Sequence, residues 1–152
     1  MIFGIVLVEP EIPHNTGAVG RLCVGLGVPL HLIQPLGFTI SKEAVQRSGL
    51  DYWDHLDLHL HKSWEAFLES EAPAALHFMS TKGKRSLFEC KFVAGGYLVF
   101  GSESRGFPPA FYETYAEQLC LIPMPGTHAR SLNLANAVAV CAYEAYRQLS
   151  SR

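Results

Sequence analysis

The sequence predicts an α/β domain built on a mainly parallel sheet of six strands with helices on both faces. Three observations predict it. Short apolar runs alternate with helical patterns from one end of the 152 residues to the other. Most of these runs are near-continuously hydrophobic, as strands covered on both faces must be. No repeat, low-complexity tract or linker interrupts the alternation, so residues 1–152 read as one domain.

The first strand is Ile2 to Val8. No basic residue precedes it and Glu9-Pro10 stops it, which marks a buried strand rather than a targeting segment. The first helix can begin at Asn15 or Thr16, whose side chains can cap free amides, and ends at Gly27, which tolerates the left-handed conformation. Val19, Leu22, Cys23 and Leu26 share its core face. At about 100° per residue, Arg21 points roughly 160° away from them, toward solvent or a ligand. Further strands are expected at Leu30–Gln34, Leu56–His61, Ala75–Ser80, Tyr97–Gly101 and Leu119–Ile122. The run Leu56-Asp-Leu-His-Leu60 alternates strictly, the pattern of a strand exposed on one face near an edge. The last helix runs from about Ser131 to Leu149 and is apolar on nearly every side between Leu134 and Tyr146. Such a helix must be covered all round, and a second subunit is the expected cover in so short a chain.

Composition narrows the function. With 49% hydrophobic and 17% charged residues and a net charge of −2, the chain is neither a disordered tail nor a uniformly basic nucleic-acid clamp. Any RNA contact must use local patches. No apolar run approaches the roughly 18 residues of a bilayer span, so a cytoplasmic protein without a membrane partner is expected. Cys23, Cys90, Cys120 and Cys141 form no C-x-x-C pair, and reduced thiols are expected. His55, His59 and His61 lie in the alternating run rather than at i, i+4 on a helix, so they read as solvated strand-face residues and no metal is expected.

Three loops follow strands and are rich in glycine, proline and polar residues: Glu9 to Gly17, Phe100 to Pro108, and Ile122 to Asn133. In an open α/β sheet, ligands sit at the carboxyl ends of strands, where all three fall. Gly25-Leu-Gly27-Val-Pro-Leu30 fails as a dinucleotide fingerprint at its third glycine, and no phosphate-binding G-x-x-x-x-G-K-[ST] loop is present.

The runs E-P-E-I-P-H-N-T-G with R-L-C, F-G-S-E-S-R-G, and I-P-M with S-L-N-L-A-N-A-V closely resemble the three motifs of SPOUT-class RNA 2′-O-methyltransferases. The pattern is most similar to the small tRNA (cytidine/uridine-34-2′-O)-methyltransferases and covers nearly the whole chain. The resemblance implies a C-terminal trefoil knot, whereas the general avoidance of knots would predict an unknotted sheet. It also implies S-adenosylmethionine as cofactor, S-adenosylhomocysteine as product and tRNA as partner. A homodimer through the C-terminal helix is expected with it.

Carried over by position, the cofactor pocket comprises Met79, Gly101, Ile122, Ser131 and Leu132. At Gly101 a side chain would block approach of the backbone to the ligand. Met79 and Ile122 are either apolar walls for the adenine or strand-end core residues. Arg21 takes the family's catalytic place; since a guanidinium rarely gives up a proton, it clamps a phosphate and stabilises charge on the 2′-oxygen. Asn15, Glu103 and Asn133 can support the site, with helix capping an equal account of the two asparagines. Lys82, Lys84, Arg85 and Arg130, with Arg105, are candidate RNA contacts around the pocket; Tyr143 is one across a dimer, or else a core aromatic. Ala18 stands where close relatives often carry a second Asn. Two other readings are open: methylation of another RNA such as rRNA, and a catalytically silent RNA-binding protein of the same fold.

Overall fold

The computed structural model describes residues 1–40 and 51–150. Its strands are β1 (Phe3–Val8), β2 (Leu30–Ile33), β3 (Leu58–His61), β4 (Leu76–Met79), β5 (Arg85–Ser86), β6 (Gly96–Phe100) and β7 (Leu119–Leu121). They form one sheet in the order β3-β2-β1-β6-β4-β7-β5, with every described pair parallel. The six expected strands are all present. The seventh, β5, is a two-residue edge strand that starts at the RNA-contact candidate Arg85 and is too short to carry a periodic pattern.

Helices α1 (Pro13–Leu26) and α4 (Leu134–Ser150) cover one face, where Val19, Cys23, Val138 and Cys141 pack on Ile5, Leu7, Leu30 and Leu98. Helices α2 (Trp64–Glu71) and α3 (Pro109–Thr114) cover the other, through Trp64, Phe67 and Phe111 against Val6, Phe78 and Val99. Helices on both faces thus bury both sides of the central strands, as their unbroken apolar sequences require.

Later strands insert between earlier ones in the sheet. β6 enters between β1 and β4, and β7 then enters between β4 and β5. The turn joining β4 to β5 lies against β7 so closely that a Cβ on Gly83 would stand 2.7 Å from the carbonyl carbon of Cys120. From β7 the chain continues through the third loop to α4, which lies against α1.

Several expectations are corrected. Helix α1 starts at Pro13, whose fixed φ and missing N–H suit a first helical position, so Asn15 and Thr16 lie buried inside it and cap nothing. Gly27 ends it in the left-handed conformation, as expected, with φ of 66°. Ser131 belongs to the loop before α4 rather than to the helix. In the single chain the outer face of α4, where a second subunit is expected, is open and not at odds with that expectation, with Val140, Tyr143 and Tyr146 at 42%, 55% and 42% exposure. β3 is an edge strand with Leu58 packed on the core, as expected, but its end departs from the expected alternation: Leu60 is exposed and His61 buried. The reason is that α2 covers the His61 side, where the ring pairs with His31 and meets Phe67 edge-on. Burial lowers the pKa of both imidazoles, to about 4 for His31. Finally, Cys90 and Cys120 are joined by a disulfide, correcting the expectation of four reduced thiols. The fold brings residues 30 apart in sequence to a Cα separation of 6.9 Å, which their spacing alone does not reveal.

Candidate functional site

The three loops meet at the carboxyl ends of β1, β4, β6 and β7 and enclose a cleft of about 530 Å³. The first leaves β1 through Glu9, which adopts a left-handed φ of 52° and turns the chain toward the second loop. The second is a tight hairpin: Ser102 and Gly106 exchange backbone hydrogen bonds of 2.9 and 3.0 Å, and Gly106 has φ of 69°. A Cβ on Gly101 would stand 2.4 Å from the carbonyl carbon of Gly106 and 2.6 Å from the Phe107 nitrogen. Gly101 is therefore demanded by the loop's own backbone, before any ligand is considered.

Two carboxylates stitch the first loop to the second. Glu103 accepts from the backbone nitrogens of Glu11, at 2.9 Å, and Ile12, at 2.6 Å, just ahead of α1. It therefore serves the helix start that no side chain of the first loop caps. Glu11 reaches the opposite way, accepting from the Ser104 hydroxyl at 2.8 Å and facing the Arg105 guanidinium at 3.6 Å. The Ser104 hydroxyl is the main influence that lowers the Glu11 pKa. Sequence reasoning missed Glu11, although it lies within the E-P-E-I-P run.

The third loop joins through asparagines. Asn133 Nδ2 donates to Asn15 Oδ1 at 3.0 Å, and Asn15 Nδ2 donates to Glu103 at 3.4 Å. Asn133 Oδ1 also accepts from the Asn136 nitrogen at 3.2 Å and so caps α4. The three residues named as supporting candidates thus form one chain of hydrogen bonds across all three loops.

All five candidate pocket residues, Met79, Gly101, Ile122, Ser131 and Leu132, line the cleft. Missed by sequence reasoning were Ser80, Thr81, Tyr112 and Met124, which lie beside them; a strand-end serine or a loop methionine carries no distinguishing signal. Of the basic candidates, Lys82 and Arg105 border the cleft, and the Lys82 ammonium sits 4.2 Å over the Tyr112 ring. Lys84, Arg85 and Arg130 are exposed outside it. Tyr143 is on the uncovered face of α4 rather than in the core.

Arg21 is exposed on α1, outside the cleft lining. It is six residues, roughly 9 Å along the axis, beyond Asn15. Its charge partly offsets the upward shift that burial imposes on the neighbouring Tyr52 phenol, which donates to the Gly17 carbonyl at 2.6 Å. Among the described residues that line the cleft there is no histidine or cysteine. Apolar walls, backbone polar groups and a few hydroxyls, bordered by Lys82, Glu103 and Arg105, suit it to hold and orient a ring system.

The model of the SpoU rRNA Methylase family matches residues 3–143. The chain belongs to the SpoU rRNA methylase family. This SpoU-family chain is 46% identical over 151 residues to a tRNA (cytidine(34)-2'-O)-methyltransferase of Burkholderia pseudomallei (strain 1106a), covering 97% of the chain and 96% of that protein. A solved structure concerned with 2-OH methylation of C/U34 on tRNA is 52% identical, with a TM-score of 0.86 over 99% of this chain and 97% of its own. The SpoU methyltransferase AviRb from Streptomyces viridochromogenes, solved with the cofactor AdoMet, is 26% identical with a TM-score of 0.80. That match covers 97% of this chain and 58% of the larger protein.

Proposed function

We propose that this SpoU-family chain transfers a methyl group from S-adenosylmethionine to the ribose 2′-hydroxyl of nucleotide 34, cytidine or uridine, in tRNA. The observation that carries the proposal is the joining of three motif loops, through Asn133, Asn15 and Glu103, around a cleft lined by all five expected cofactor residues. Near full-length identity to a tRNA (cytidine(34)-2'-O)-methyltransferase selects the substrate within the family.

The cleft fits the cofactor. Its volume lies within the roughly 300–1,000 Å³ of small-molecule pockets. Met79, Ile122 and Leu132 offer apolar surface to an adenine, and Gly101 keeps Cβ atoms away from the backbone there. When bound, the cofactor supplies a sulfonium methyl group, which passes to the ribose oxygen as the carbon–sulfur bond breaks, leaving S-adenosylhomocysteine. The hydroxyl proton leaves to solvent, and no metal is called for. The chain's own part is orientation, since in-line placement of the reacting atoms supplies much of the rate. In this reading Arg21 clamps a phosphate next to the target ribose and stabilises charge growing on its oxygen. Lys82, Arg105, Lys84, Arg85 and Arg130 meet RNA phosphates around the cleft mouth.

The same proposal includes a homodimer in which Val140, Tyr143 and Tyr146 are covered by a second copy, giving Tyr143 access to RNA bound across the pair. It takes the passage of β7 between β4 and β5, followed by the return to α4, as the threaded part of a trefoil knot. The chain works in the cytoplasm; among the described residues no helix is long and apolar enough to cross a membrane.

The deciding experiment incubates the purified protein with labelled S-adenosylmethionine and total RNA, containing both tRNA and ribosomal RNA, then maps 2′-O-methylation by position. Label at nucleotide 34 is expected. Label only in ribosomal RNA, or none in any RNA despite cofactor binding, overturns the substrate or the chemistry respectively.

A further inference from the structure

Away from the cleft, on the sheet face covered by α2, three side chains from three elements converge. They are His31 of β2, His61 of β3 and Glu71 at the end of α2. His31 Nδ1 stands 2.9 Å from His61 Nε2 and 4.0 Å from Glu71 Oε1. One donor atom from each of the three falls within 4.8 Å of the others, the one such group among the described residues. His31 and His61 are 1% and 8% exposed, whereas the Glu71 side chain keeps 24% of its surface in water. We infer that His31, His61 and Glu71 form a binding site for one divalent transition-metal ion of the zinc class, with solvent completing the coordination.

The donor set selects the ion. Two imidazoles and a carboxylate, with one position left open, are zinc-type ligands, whereas magnesium and calcium take oxygen almost throughout. Zinc bonds of about 2.0–2.2 Å in a tetrahedron put neighbouring donors roughly 3.3–3.5 Å apart. The observed 2.9 and 4.0 Å bracket that spacing and the third pair lies within 4.8 Å, so side-chain shifts of about 1 Å bring the donors onto an ion. The groups behind the donors are placed as well. Ser70 Oγ is 3.5 Å from His61 Nδ1, and the Tyr97 hydroxyl donates to Glu71 Oε2 at 3.1 Å. His59 stacks on His31 with ring centroids 4.5 Å apart, while Phe67 and Tyr97 meet that ring edge-on.

A plain imidazole pair accounts for less. It explains the 2.9 Å contact but leaves Glu71 Oε1, which accepts a long 3.4 Å bond from the Ser70 hydroxyl, 4.0 Å from His31 and beyond its hydrogen-bonding reach. When an ion enters, the proton shared by the rings moves to the other nitrogen of the ring that carries it. Two lone pairs then face the ion with no change in ring charge. The site joins edge strand β3 to β2 and α2, so its effect is to fasten the sheet edge. It stands independently of the methyl-transfer reading.

The test uses the untagged full chain, stripped with EDTA and titrated with zinc or cobalt, beside Glu71→Gln and His61→Phe. Expected are one zinc per chain, visible d–d bands of low-symmetry cobalt, and a Tm raised by roughly 5–10 °C when zinc is at 100 times its Kd. Glu71→Gln weakens binding at least about tenfold and His61→Phe abolishes it. Failure of the wild type to bind zinc, or equal binding by wild type and Glu71→Gln, overturns the inference. Should His61→Phe not fold, Glu71→Gln decides alone, because its side chain is on the solvent side of the cluster.

Discussion

Glu103 shows how a single side chain can hold two loops, and its removal is the most direct probe of the site's framework. Its carboxylate satisfies the Glu11 and Ile12 amides, so Glu103→Ala leaves both without their acceptor and costs about 1–3 kcal/mol in urea unfolding. Glu103→Gln keeps one acceptor oxygen and loses about half as much. Because Asn15 and Asn133 continue the same chain of bonds, cofactor affinity measured by calorimetry falls with stability in the alanine variant. Arg21→Ala separates in the opposite sense. Outside the cleft lining, it leaves cofactor affinity unchanged and lowers the rate of methyl transfer by about 10²–10³-fold, the scale of losing one charge-stabilising group. A variant that methylates tRNA normally would remove Arg21 from the mechanism. The sequence made these residues visible as candidates but not their roles. Asn15 looked like a cap because capping rules see only local spacing, whereas the true acceptor at that helix start comes from residue 103, 92 positions from Glu11. Gly101 was legible as a close approach, but the approaching group is the backbone of Gly106 and Phe107, which only the hairpin brings back.

At the scale of elements, periodicity located the long pieces and missed what neighbours decide. The six expected strands are in place, and α1 ends at Gly27 as read. The two-residue β5 carries no pattern, and the buried face of β3 depends on where α2 lies rather than on the alternation of its own residues. The outward stripe of α4 was legible as excess apolar character, and it is open in the single chain at Val140, Tyr143 and Tyr146. If a second copy covers it, a charge there must be desolvated without a partner, which costs several kcal/mol. Val140→Glu combined with Tyr143→Glu is therefore expected to turn a dimer into a monomer in light scattering while leaving far-UV circular dichroism unchanged. Neither side chain is packed in the monomer core, so loss of fold is not the expected route. A wild type that is already monomeric at micromolar concentration would overturn the dimer.

For the molecule as a whole, the thiols report on how the chain is closed. Cys90 and Cys120 are both 2% exposed and bonded, while Cys23 and Cys141 are free but buried between α1, α4 and the sheet. Burial pushes the pKa of each free thiol from its ordinary 9.0 up to about 12. A raised folded-state pKa means that their contribution to stability is complete below about pH 9 and is lost as pH rises toward 12. At neutral pH almost no thiolate is present, and the sulfurs are out of reach of reagent. Thiol counting with a chromogenic disulfide should therefore find none in the native protein, two after denaturation alone, and four after denaturation, reduction and removal of the reductant. Four thiols in the second condition would mean that the Cys90–Cys120 bond is not formed in solution. The bond closes a 30-residue span, so in the loop-entropy account breaking it costs roughly 3–4 kcal/mol. Urea unfolding with and without dithiothreitol measures that difference. The same comparison made on a Cys90→Ser, Cys120→Ser double variant should show none, because the remaining thiols have no partner to lose.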